Sequence, residues 1–151
     1  MEKVFRSVAL IRRYVDDHAQ WMALWDESHN WWDFIVGQRL DKESFRETAM
    51  REVGWRLNLG RTSDFLVANM SQLNMEYIGQ LPGDLSEKHI AVAFYAVDLY
   101  KAEVAKTIAD HQSICWLSSA EVCAGQQENG PILNPLICHW VNKWQVILPW
   151  Q

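Results

Sequence analysis

Apolar and β-branched residues run from Val4 to Tyr14 and predict a first strand. Trp21 to Trp25 is a second candidate, and Asp26 to Asn30 forms a polar turn behind it. Trp31 to Val36 reads as a third strand, ended by Gly37. The pattern then changes. Phe45, Ala49, Val53 and Leu57 recur at a spacing of four among strong helix formers, which predicts a helix over Glu43 to Leu57. Asp41 is the expected N-cap, Glu43 and Glu47 lie near the positive end of the dipole, and Asn58 is the expected left-handed terminator ahead of Gly60.

Two further extended segments follow, Phe65 to Met70 and Met75 to Leu81, with a turn at Pro82-Gly83-Asp84. His89 to Leu99 is the clearest strand in the chain. Lys101 to Asp110 reads as a short helix or a loop. Ser113 to Leu117 reads as a strand, Ser118 to Ala124 as a helix capped by Ser118, and Pro135 to Trp144 as a closing helix with proline in its first turn. Strands with two or three helices between and after them give an α/β fold of the α+β kind, a mixed β-sheet sandwiched between helices. No repeat, low-complexity tract or Pro/Gly linker interrupts the chain, so residues 1–151 are expected to form a single domain.

Composition narrows the function classes. About half the residues are apolar, which excludes a disordered chain. Nine tryptophans could supply a stacking surface, but most are expected in the core. A net charge of −5 without a basic block argues against nucleic acid as a partner, because that affinity rests on clustered Lys and Arg. The apolar run Val8 to Ile11 is too short for a signal peptide, and no stretch approaches a membrane span. Cys115, Cys123 and Cys138 are odd in number and fit no metal spacing, so they read as buried thiols in a reducing, cytoplasmic setting.

One segment carries chemistry. Gly37 is followed by five residues and Glu43, then seven residues, Arg51-Glu52, Val53 and, six positions later, Leu59. This register resembles the signature of the Nudix hydrolases, over about two dozen residues. Trp55 and Arg56 stand where that family has paired glutamates, and Asn58 where it has glycine. Trp32-Asp33-Phe34, Ala49, and Cys115 to Ser118 with Glu121 also resemble the family's layout.

The resemblance implies a loop–helix–loop that holds Mg²⁺ or Mn²⁺ against the diphosphate of a nucleotide linked to another group. Carboxylates one helical turn apart share a face, and hard oxygen ligands suit such a cation. The metal polarises the phosphoryl group and helps generate the attacking hydroxide. By this resemblance the catalytic set is Glu52, Glu43 and Arg51. Glu52 is the one retained ligand of its trio, Glu43 braces the loop, and Arg51 orients the acids. Gly37, Arg39 and Arg56 fall to substrate binding, with Lys42 and Arg46 as further cations. Glu47, Asp84, Glu87, Glu103 and Asp110 are the other acids that could complete a metal site.

Arg56 lies four residues after Glu52, so its guanidinium can pair with that carboxylate where the metal would sit. Two readings follow. The chain is a pyrophosphatase-like hydrolase with an impaired metal site, or a catalytically inactive Nudix-type protein that binds a nucleotide or another protein. A homodimer is compatible with either. On periodicity alone, the same acids and bases would form a solvated helix face laced with surface ion pairs. His89 reads as a core or edge histidine, His111 and His139 have no ligand partner, and Trp31 and Trp32 should point to opposite faces of their strand.

Overall fold

A computed structural model describes all 151 residues. The architecture is α+β, with eight strands and four helices, and the sheet is mixed, with antiparallel ladders and a parallel bridge from Trp32 to Leu133. Two compact units make up the chain, residues 1–10 with 35–101 and residues 11–34 with 102–151. Strand β1 (Lys3–Val15) contributes to each.

In the first unit, the start of β1 pairs antiparallel with β4 (Ile35–Gln38) in the register Arg6 to Gln38 and Ser7 to Gly37. Helix α1 (Phe45–Leu57) packs against β4, β5 (Leu66–Val67) and β7 (Lys88–Asp98). All of β6 (Leu73–Gly79) pairs antiparallel with Lys88 to Phe94 of β7, and the end of β7 pairs with β5. Ala49, Val53 and Leu57 are buried with Phe65, Val67, Ile90, Val92 and Phe94, so the four-residue spacing does mark the packed stripe. β-branched and aromatic residues fill β7, as expected for a strand that is buried on both faces.

The second unit holds the end of β1 with β2 (His18–Asp26), β3 (Trp31–Asp33) and β8 (Ile114–Ser118). Helices α2 (Ala102–Ala109), α3 (Ser119–Ala124) and α4 (Pro135–Lys143) complete it. Trp140, Leu117, Leu133, Ile137 and Ile147 form its interior. Asn134 caps α4 by accepting from Leu136 N at 3.0 Å, and Pro135 starts the helix without wasting a donor.

Four expectations need correction. Trp31 to Val36 is not one strand, because pairing breaks at Phe34 to leave β3 and β4, and Gly37 lies inside β4 rather than ending it. Phe65 to Met70 is reduced to the two residues of β5. Of the two readings for Lys101 to Asp110 the helix holds, over Ala102–Ala109, which makes four helices rather than two or three. Most tryptophans are not core: Trp21 and Trp140 are fully buried, Trp55 and Trp150 are exposed, and the rest lie between. A buried indole N–H usually takes a partner, although Trp31 and Trp116 bury theirs without one. Trp21 finds Ser119 Oγ at 2.9 Å, and Trp32, half-buried, finds Gln127 Oε1 at 3.0 Å. The three cysteines are free and half-buried, with burial pushing the Cys115 thiol up to about 12. No helix is long and apolar enough to cross a membrane.

Candidate functional site

Helix α1 begins later than its acids suggest. Its N-cap is Ser44, not Asp41: Ser44 Oγ accepts from Glu47 N at 3.0 Å, and the Glu47 carboxylate accepts from Ser44 N at 3.0 Å. This reciprocal box satisfies two otherwise orphaned donors, and its Ser-x-x-Glu signal was present in the sequence. Glu43 therefore sits in the loop before the helix. Asn58 closes the helix in the left-handed conformation (φ 54°), as its type allows.

Gly37 lets the helix approach β4. A Cβ there would lie 2.9 Å from Thr48 Cγ2 and would collide with Glu52 Cγ. Glu52 thus rests on bare backbone, with its side chain 11% exposed.

Around it, the charged groups form a closed chain. Arg51 donates from Nε to Glu43 Oε2 at 2.8 Å, from Nη1 to Glu52 Oε1 at 2.7 Å, and from Nη2 to the Gln38 carbonyl at 2.9 Å. Arg56 donates from Nε to the other Glu52 oxygen at 3.3 Å. Glu43 Oε1 also accepts from Thr48 Oγ1 at 2.7 Å and from Leu40 N at 3.1 Å. The hydrogen bonds from Arg51, then those from Thr48 and Leu40, hold the Glu43 carboxyl down at about 2, and Glu43 raises the Arg51 guanidinium in return. Two carboxylates face two guanidiniums, and the cluster is neutral. Thr48, fully buried, was not anticipated. Only its position one turn after Ser44 and five residues after Glu43 could have pointed to it.

These residues do not suit a divalent cation. Both Glu52 oxygens are taken by arginine, and no group of three His, Cys, Asp or Glu side chains comes together anywhere in the chain to hold a metal. Mg²⁺ needs several oxygen ligands, and the one buried carboxylate is already neutralised. Among the other acids, Glu47 closes the capping box and Asp84 lies 3.8 Å from Lys88.

The expected cations are dispersed. Arg39 stacks on Phe5 at 3.7 Å and lies near Phe45 at 5.1 Å, beside an open depression of about 590 Å³ that Lys42 also lines. Phe45 and Arg56 are separated by roughly 16 Å of helical rise, so Arg39 and Arg56 occupy opposite ends of α1. Arg46 is spent on carbonyls, donating to Ala68 O at 3.0 Å and Val67 O at 2.8 Å, and it is not a free cation.

No family model matches the sequence, and no curated protein matches it. Solved structures do. The Ap4A hydrolase of C. elegans aligns with 97% of this chain and 93% of its own, with a TM-score of 0.59 and 13% identity. The fold is that of the Nudix hydrolases. A Nudix hydrolase from M. smegmatis, RenU, shares it over 95% of this chain and 87% of that chain, with a TM-score of 0.54 and 12% identity. NrtR of Shewanella oneidensis, solved with a 27mer DNA, matches 79% of this chain and 52% of its own, with a TM-score of 0.54 and 13% identity. A Nudix fold is therefore compatible with a DNA-bound protein, and the expectation against nucleic acid stands on charge alone.

Proposed function

We propose that this chain is a Nudix-fold protein of one domain, residues 1–151, that binds a nucleotide or another small diphosphate without a resident metal. Hydrolysis of nucleoside diphosphate derivatives is weak or lost. A single observation carries this reading: both oxygens of Glu52 accept from guanidiniums, Arg51 on one side and Arg56 on the other. In this reading Glu43 and Arg51 brace the site rather than react, and Arg56 is the cation that faces the ligand. Arginine suits phosphate because its planar fork makes paired, charge-assisted hydrogen bonds. The net charge of −5 and the absence of a basic block favour a small ligand over a nucleic acid, and a cytoplasmic setting fits the free thiols.

The hydrolase reading keeps one support, the likeness in fold to the Ap4A hydrolase. Activity would then need Mg²⁺ or Mn²⁺ held with acids from outside the helix. The deciding experiment measures turnover of Ap4A and ADP-ribose with Mg²⁺, and thermal shifts by the same compounds with Mg²⁺ and with EDTA. A ligand that binds only the native state raises its stability. Stabilisation that persists in EDTA with little turnover is the expected result. Robust turnover abolished by Glu52→Gln overturns the proposal.

A further inference from the structure

The last turn of α1 carries a side chain that packing does not explain. Trp55 is 72% exposed, although an indole is the largest apolar surface a residue can offer. Next to it, Arg56 lies with its guanidinium carbon 5.4 Å from the Trp55 ring centroid. Glu52 fixes Arg56 through Nε alone, so its two Nη groups make no hydrogen bond within the protein, and the side chain is 44% exposed. Arg51, by contrast, spends Nε and both Nη groups internally. The two arginines of the cluster have different jobs. One closes it and the other faces outward.

A third side chain reaches the same turn. Arg61 Cγ would lie 3.0 Å from a Cβ on Gly54, and Leu59 O 3.2 Å from it. Glycine inside a helix costs about 1 kcal/mol relative to alanine, so a close approach of this kind is a reason for its presence. The bare backbone lets the Arg61 stem lie against Gly54, while its charge acts on Glu47 nearer the start of the helix. Arg56 and one exposed indole thus mark a turn whose carbonyl end would by itself repel anions.

We infer that the turn 54–56 is a metal-independent nucleotide site, in which Trp55 stacks the base and Arg56 holds the phosphate. This rests on the proposal that the chain binds a nucleotide, and adds where and how. Stacking on one exposed face tolerates any base, so the site selects for a phosphorylated nucleoside rather than for base identity. The surface is open, so binding is weak and depends on salt.

Calorimetric titration with ADP in EDTA tests this, using the full chain and the variants Trp55→Ala, Trp55→Phe, Arg56→Lys and Arg61→Gln. Pyrophosphate and adenosine serve as probes for the two halves of the ligand. Removing a stacking aromatic costs about 1–3 kcal/mol per base, which is roughly 5- to 150-fold in affinity. Trp55→Ala is expected to weaken ADP by that factor and leave pyrophosphate unchanged, while Trp55→Phe restores most of the ADP affinity. Arg56→Lys is expected to weaken both ADP and pyrophosphate and leave adenosine unchanged, since lysine keeps the charge but loses the fork. Arg61→Gln, whose charge acts on Glu47, should leave ADP and pyrophosphate binding close to the parent's. ADP binding that is equal in the parent, Trp55→Ala and Arg56→Lys overturns this site and leaves metal-independent binding standing. No binding of ADP or Ap4A to the parent overturns both. Trp55 is exposed, so its variants are expected to keep the melting temperature of the parent, and this serves as the folding control.

Discussion

Arg56 Nε donates to Glu52 Oε2 at 3.3 Å across one turn of α1, on the side of the carboxylate that Arg51 leaves open. A guanidinium fixed there takes the position from which a cation would bind the acid, and the two compete for the same lone pairs. Replacing both Trp55 and Arg56 with glutamate sets carboxylates at positions 52, 55 and 56, spaced i, i+3 and i+4 on one face. Mn²⁺ titration is expected to find affinity in this double variant that the parent lacks. The metal-free variant should also melt lower, because like charges repel and the Glu52 pair is gone. Equal Mn²⁺ affinity in both proteins would show that this helix face never governed metal binding.

Gly37 is the position where α1 and β4 come closest. Gly37→Ala places a methyl group into Glu52 Cγ and Thr48 Cγ2, and neither is the loose end of an exposed chain. Overpacking of this sort costs about 1–3 kcal/mol. A fall in melting temperature of roughly 2–4 °C per kcal/mol should follow for a chain of this size. An unchanged melting curve would mean that the helix can lift from the strand at no cost.

The Glu43 carboxyl titrates at about 2 in the folded protein and near 4.5 in its ordinary state. A depressed carboxylate stabilises the fold above its unfolded value and loses that contribution as pH falls through its folded value. Stability should therefore decline between about pH 4.5 and pH 2, by on the order of a few kcal/mol at most for this one group. Chemical denaturation at stepped pH, comparing the parent with Glu43→Gln, reads the difference. The variant is less stable at pH 6, and the gap should narrow toward pH 2. A constant gap would assign the loss to packing instead of ionisation.

Ser44 and Asp41 offer a plain comparison at the start of α1. Ser44→Ala removes an observed cap and should cost about 1 kcal/mol, while Asp41→Ala should cost little. Urea unfolding of the two variants decides between them. A larger loss from Asp41→Ala would move the helix start back into the loop.

Much of the first unit was legible. The apolar spacing located α1, residue type located the Asn58 terminator, and a continuous apolar run located β7. These signals are local, and the structure obeys them. The register of Gly37 with Glu43, Arg51 and Glu52 pointed to a fold that the solved structures share. What the sequence concealed was long-range. Thr48 looks like an ordinary helix residue until its hydroxyl is seen to meet Glu43, and Arg46 looks like a free cation until two carbonyls of the β5 region are brought to it. The break at Phe34 was equally hidden, because each half of Trp31 to Val36 finds a different partner strand and periodicity records only the residues.

The four-membered chain of Glu43, Arg51, Glu52 and Arg56 also sets the order in which this helix can change. Replacing Arg51 strands the largely buried Glu43, at a cost of several kcal/mol in the buried limit, whereas Arg56 is half in water and its loss leaves Glu52 paired with Arg51. Arg56→Glu alone sets a second acid against Glu52 before any third oxygen is in place to attract a metal. Both Trp55 and Arg56 have to change before the helix offers three carboxylates, and the ion pair with Glu52 opposes the change at Arg56.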